Sequence, residues 1–210
     1  MMGEAAAKTW KRSALFAVLM SFVFGGQLSA QNQTQVDNYE IRVAGFKIGD
    51  LEAKLTKNGN NKNFLLQSEV SFWFFGKIFL NHEIDCQYLE DQLISSRVSS
   101  QSNRGDFITE IDWMENHYQV EAETYKYENS TTIQRVIEGS TAKFYFEKPQ
   151  DGDEIVSETF GLLSEVKEVE KDVFEIEING NRNRFYYTGQ ELTKVLIQNP
   201  IKNYVVQRVN

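Results

Sequence analysis

The chain has 210 residues, with 22 basic and 30 acidic side chains and a formal net charge of −8. Its hydrophobic share of 41%, with 13% aromatics, suffices for a folded core and excludes global disorder. The acidic balance excludes nucleic acid as a natural partner, because phosphate binding needs clustered Lys and Arg. A single cysteine excludes an internal disulfide framework and a cysteine-based zinc site.

Lys8, Lys11 and Arg12 precede an apolar run from Ala14 to Gly26, which is followed by Gln27-Leu28-Ser29-Ala30. A basic start, a short apolar stretch and a small residue at the cut describe a secretory signal peptide over residues 1–30. The run is shorter than the ~20 residues that cross a bilayer. The remainder, residues 31–210, reads as one antiparallel β domain with no transmembrane segment, exported and soluble in the periplasm or outside the cell. Cys86 then stands alone in an oxidising compartment, where burial protects a free thiol.

From Tyr39 onward the hydrophobic period is two. Tyr39, Ile41 and Val43 alternate with Glu40 and Arg42, and Leu51, Ala53 and Leu55 alternate with Asp50, Glu52, Lys54 and Thr56. A strand with one face buried and one wet produces this pattern. The rhythm continues through 64–75, 79–89, 93–102, 107–114, 117–127, 132–138, 142–147, 163–170, 173–178, 183–188, 192–198 and 204–209. Asn58-Gly59, Glu90-Asp91, Asn103-Arg104-Gly105, Glu115-Asn116, Asn179-Gly180 and Thr188-Gly189 mark reversals between the runs. Short connections between alternating runs require antiparallel neighbours.

About a dozen strands are too many for a flat sheet. The predicted fold is all-β and mainly antiparallel: a strongly curved meander forming a half-barrel or barrel, with at most one or two short helices. The segment Pro149–Leu162 breaks the alternation and is predicted as a long loop, or a short helix over 153–160, across one mouth.

One region is apolar on both faces: Ser71-Phe72-Trp73-Phe74-Phe75-Gly76-Lys77-Ile78-Phe79-Leu80. It is read either as a strand covered on its outer face or as an exposed patch centred on Trp73 and Phe75 that serves a partner.

Chemistry-bearing patterns are few. His82 alternates in phase with Leu80, Ile84 and Cys86 and reads as a hydrogen-bonded interior residue, and His117 lies on a separate strand. There is no HExxH, CxxC, Gly-x-Ser-x-Gly, P-loop or Gly-x-Gly-x-x-Gly. No catalytic residue, metal site or cofactor is therefore assigned. Four acidic pairs, Glu83/Asp85, Glu110/Asp112, Glu121/Glu123 and Glu175/Glu177, place both carboxylates on one strand face about 7 Å apart at ~3.4 Å per residue. A hydrolase using such a pair is a remote reading, and a solvated outer face is the simpler one.

The hairpin Tyr39–Gly49 resembles the opening of an uncharacterised family of exported envelope proteins, a domain of unknown function. So do Phe144-Tyr145-Phe146-Glu147-Lys148-Pro149, Ser157-Glu158 and Asn183-Arg184-Phe185-Tyr186-Tyr187-Thr188-Gly189. Thr188-Gly189 departs from the Asn-Gly expected at that turn. More loosely, the meander is similar to half-barrel lipoprotein carriers and chaperones of the bacterial envelope, and this similarity implies a curved sheet around a lipid-sized cavity.

Two readings of function follow. In the first, the domain is a non-enzymatic half-barrel that binds an apolar or lipid-like ligand in the cell envelope. Strand phase then nominates Phe72, Phe74, Leu80, His82, Ile84, Trp113 and Tyr118 as cavity residues. In the second, a filled core leaves the aromatic patch as a docking surface for an envelope protein.

Overall fold

The computed structural model describes residues 32–73, 77–199 and 202–209. The signal peptide over residues 1–30, and Phe74 and Phe75 of the aromatic run, lie outside the described residues.

Eight strands come first, in four hairpins: β1 (Gln33–Val43), β2 (Phe46–Asn58), β3 (Asn61–Trp73), β4 (Lys77–Leu89), β5 (Gln92–Ser102), β6 (Gly105–Met114), β7 (His117–Thr124) and β8 (Tyr127–Ile133). A short pair, β9 (Glu154–Ser157) and β10 (Leu162–Glu165), precedes β11 (Lys167–Glu170), β12 (Val173–Ile178), β13 (Asn181–Thr188), β14 (Glu191–Ile197) and β15 (Tyr204–Val209). Thirteen strands form one antiparallel sheet in the order β11-β12-β13-β14-β15-β1-β2-β3-β4-β5-β6-β7-β8, while β9 and β10 pair separately. The fold is all-β, and the sheet is curved but not closed.

Turn chemistry explains the meander. Ala44-Gly45 and Asn179-Gly180 have positive φ at both central residues, the conformation whose twist matches that of the flanking strands. Glu90, Glu115 and Lys126 adopt the same left-handed backbone without glycine. For that reason the Tyr125-Lys126 reversal is invisible in the sequence, and the expected single run 117–127 is two strands.

The seam of the meander falls in an unexpected place. β15 pairs with β1, joining the two ends of the domain, with Tyr39 opposite Arg208 and Ile41 opposite Val206. The unpaired edges are β8 and β11, and the chain between them turns inward. Ile137, Ser140, Ala142, Phe144, Tyr145, Ile155, Val156 and Glu158 are all buried. This segment fills the half-barrel; it does not cross its mouth. The sheet holds it by hydrogen bonds: Leu93 N donates to Ile137 O at 2.9 Å, Thr109 Oγ1 to Thr159 O at 3.1 Å, and Tyr187 Oη to Phe144 O at 2.7 Å. Edge-to-face contacts of Tyr39 with Tyr145 (5.1 Å) and Phe144 with Phe185 (4.9 Å) add ring packing.

The interior position of the segment overrides three local expectations. The run 142–147 alternates, yet Phe144 and Tyr145 are both buried because sheet surrounds them on more than one side; it forms a 3-10 turn over Lys143–Tyr145. The stretch 153–160 contains β9 in place of a helix. Strand β8 ends at Ile133, so residues 134–138 belong to the inserted segment.

Candidate functional site

The register of β1–β8 sorts the inner face into transverse rows. One row carries Leu55, Phe64, Cys86, Ser96, Ile111 and Val120, and the next carries Ala53, Leu66, Ile84, Val98, Thr109 and Ala122. All of these are buried against the inserted segment or against each other. The following row runs Tyr39, Leu51, Ser68, His82, Ser100, Phe107, and here every residue after Tyr39 is half-buried. Leu80 and Phe72, further along the same face, are also half-buried. The close-packed half of the molecule thus gives way, between β2 and β6, to a half-covered trough, polar at Ser68, His82 and Ser100 and apolar at Leu51, Phe107, Leu80 and Phe72, with Val70 still buried among them.

His82 sits in the first open row with Nδ1 2.7 Å from Ser100 Oγ. Burial pushes its pKa down to about 4, so the imidazole is neutral near pH 7. Ser68 Oγ donates to His82 O at 3.4 Å.

The nominated cavity residues therefore occupy three settings. Phe72, Leu80 and His82 line the half-open face. Ile84 is core. Tyr118 is fully buried at the other end: its hydroxyl donates to Leu93 O at 2.7 Å and accepts from Ile137 N at 3.3 Å. Half-buried Trp113 packs on Tyr118 with ring centroids 4.8 Å apart. Trp113 and Tyr118 lie far along the strands from Phe72 and are not part of the open row.

The acidic pairs lie on the outer face, where several of their carboxylates meet neighbouring strands. Gln67 Nε2 donates to Glu83 Oε2 at 2.7 Å, Arg184 Nε to Glu175 Oε2 at 2.7 Å, Ser130 Oγ to Glu121 Oε1 at 2.9 Å, and Arg97 pairs with Glu110. A groove of about 510 Å3 crosses β1–β5, lined by Asp50, Glu52, Glu69 and Glu83 of the outer face and also by Tyr39, Leu51, Ser68 and His82. Among the described residues no group of three or more His, Cys, Asp or Glu is placed to hold a metal ion.

The two ends of the β1–β8 meander differ in chemistry. At one end the turns are Gly59-Asn60, Glu90-Asp91 and Glu115-Asn116. At the other end Phe46 is 77% exposed and Trp73 is 79% exposed. Phe79 and Ile108, on the outer face of the strands there, and Tyr125 at a tip are exposed as well. The Arg104 guanidinium and the Lys126 ammonium both lie 5.0 Å from the Tyr125 ring centroid. Of this aromatic end, only Trp73 was singled out from the sequence among the described residues. The missed signal was an aromatic beside a cation at the first and last turns of that end: Phe46-Lys47, Tyr125-Lys126.

Among the described residues no helix is long and apolar enough to cross a membrane. No curated protein matches the chain. A crystal structure described as a beta-barrel-like protein of domain of unknown function DUF1849 from Brucella abortus is similar in fold. Its TM-score is 0.51 and its identity 10%, over 85% of this chain and 96% of that one. Residues 39–209, nearly the whole described sheet, match a further family, and the chain belongs to it: Domain of unknown function (DUF6134).

Proposed function

We propose that the protein is a non-enzymatic binding module of the cell envelope, exported by the leader over residues 1–30, whose trough receives an apolar, lipid-like ligand. The observation that carries this reading is the change along the inner face. Ala53, Leu66 and Ile84 are buried in the core, whereas Leu51, Phe72 and Leu80, on the same face of the same strands, keep apolar surface in reach of solvent. Such surface is costly unless something covers it. The neutral His82 and the hydroxyls of Ser68 and Ser100 supply a small polar patch among apolar walls, the usual composition of a site that orients a mostly apolar molecule.

The test is titration of the purified protein with a naphthylamine probe that fluoresces in apolar surroundings, with palmitate as competitor and no vesicles present. Saturable uptake is expected, with a loss of about tenfold in affinity for Phe72→Ser and for Leu80→Ser, the amount that uncovering one such side chain implies. Absence of uptake, or unchanged affinity in both variants, overturns the reading.

The second reading, an interaction module with a filled core, draws support from the packing of the inserted segment and from the exposure of Trp73. It predicts a protein partner lost on replacing Trp73 with Ser.

A further inference from the structure

The hairpin β3–β4 parts from its neighbours before its tip. Pairing of β2 with β3 stops at Gly49 opposite Val70, and pairing of β4 with β5 stops at Leu80 opposite Ser102. Beyond this level β3 and β4 pair only with each other, through Ser71 and Phe79, Phe72 and Ile78, and Trp73 and Lys77. Three further residue pairs at ~3.4 Å each carry the hairpin about 10 Å past the end of β5, while β2 continues through Ile48, Lys47 and Phe46 paired with β1 and no longer with β3. A two-stranded ribbon has little stability of its own, and this one presents Trp73 and Phe79 on its outer face to solvent.

The neighbouring tips repeat the same chemistry. Exposed Phe46 precedes Lys47 at the β1–β2 turn, and the β5–β6 and β7–β8 turns meet where Arg104 and Lys126 flank exposed Tyr125. The turn residues at the opposite end of the same strands include no aromatic and no basic residue, but three acidic ones, Glu90, Asp91 and Glu115; Lys57, Lys62 and exposed Leu89 and Met114 flank them. The exposed aromatics Phe46, Trp73, Phe79 and Tyr125 are thus gathered at one end, where Arg104 and Lys126 accompany the exposed acids Asp106 and Glu128.

We propose that this end is a membrane-docking edge, which seats Trp73, Phe79, Phe46 and Tyr125 at the headgroup level of an anionic bilayer with Arg104 and Lys126 against lipid phosphates. Trp and Tyr favour that level because each has an apolar ring and a polar handle. Basic side chains beside them reach outward to phosphate. A single projecting tip would suit a protein pocket; aromatic and cationic tips recurring along one edge suit a broad anionic surface. Part of the basic charge at the β1–β2 tip is already engaged, since Lys47 pairs with Asp50 at 2.6 Å and Arg42 with Glu40 at 2.5 Å. Attraction therefore rests mainly on ring insertion, with a moderate dependence on salt. Docking in this sense opens the trough beside Phe72 and Leu80 toward the lipid surface; only that consequence rests on the lipid-like reading of the trough.

The experiment is co-flotation of the purified protein with vesicles of phosphatidylcholine and phosphatidylglycerol in a 7:3 ratio or of phosphatidylcholine alone, followed through the emission of Trp73. The protein should float with the anionic vesicles, with a blue shift that Trp73→Tyr abolishes. The triple variant Phe46→Ser/Trp73→Ser/Tyr125→Ser should bind at least about tenfold more weakly, with an unchanged melting temperature. Arg104→Gln/Lys126→Gln should remove the preference for anionic over neutral vesicles. No flotation of the parent protein, or equal flotation of the triple variant, overturns docking. So does loss of binding to a protein partner in the triple variant while vesicle binding is unchanged. The triple variant should still take up the naphthylamine probe without vesicles, and Phe72→Ser/Leu80→Ser should still float. Failure of docking and failure of the trough reading are thereby separated.

Discussion

His82 shows how one residue couples the open row to pH. Its imidazole is held against Ser100 with its pKa near 4, below the ~6.5 of an exposed histidine. Between these values the unfolded chain binds a proton that the folded chain does not, so stability rises with pH through that interval. The contribution of the neutral ring is complete above about pH 6.5 and is lost as the solution is acidified to about pH 4. It amounts to no more than about 3 kcal/mol. Thermal unfolding from pH 7 to pH 4 should therefore show a steeper fall in melting temperature for the parent protein than for His82→Gln. Parallel curves would refute the assignment. His82 was legible as an interior residue from its phase with Leu80 and Ile84. That it stands at the boundary between packed and open rows was not, because strand phase gives the face and not what covers it.

At the scale of the element, Gly49 controls how β2 meets β3 at the start of the projecting hairpin. A Cβ there would lie 2.3 Å from Glu69 O and 2.9 Å from Val70 Cα, both of them backbone atoms. The register between β1 and β2 shifts immediately next to it, between Ile41 and Arg42. Strand β3 is paired on both sides at Glu69 and Val70 and cannot retreat cheaply. Gly49→Ala should destabilise the protein by about 2 kcal/mol, measured by urea unfolding, through overpacking of backbone rather than loss of a contact. A change within about 0.5 kcal/mol would mean that the strands separate there easily. The aromatic run 71–80 shows the limit of reading an element from its own residues. Apolar side chains on both faces implied either a cover or an exposed patch. The choice rests on where β2 and β5 stop pairing, which is a property of neighbouring strands.

At the scale of the whole molecule, Glu158 braces the inserted segment against itself and meets the sheet at Cys86. Its carboxylate is fully buried. It accepts hydrogen bonds from Thr141 N at 3.2 Å, Ala142 N at 2.7 Å and the Thr141 hydroxyl, and its Oε1 lies 3.5 Å from Cys86 Sγ on β4. Burial and the nearby carboxylate push the Cys86 thiol up, which keeps it protonated and unreactive. Glu158→Ala would strand two backbone N–H donors inside the half-barrel and should cost about 3 kcal/mol, with the loss visible as a lower urea midpoint. A variant as stable as the parent would show that the insert keeps its shape without the Glu158 hydrogen bonds. Glu158 entered the sequence reading only through a family resemblance, because an acidic residue in a loop carries no local mark of burial.

Period-two alternation and the hairpin turns, both local properties of the chain, were enough to determine the all-β antiparallel class, the meander and the outward-facing carboxylates. Only the tertiary structure decided that the seam lies between β8 and β11, that the segment between them fills the interior, and that the exposed aromatics of β3–β4 fall at the same end of the sheet as Phe46 and Tyr125. Each of these depends on contacts between residues far apart in the chain. Burial of Phe144 and Tyr145 on adjacent positions, or of a glutamate at 158, is favourable only once thirteen strands have curved around them.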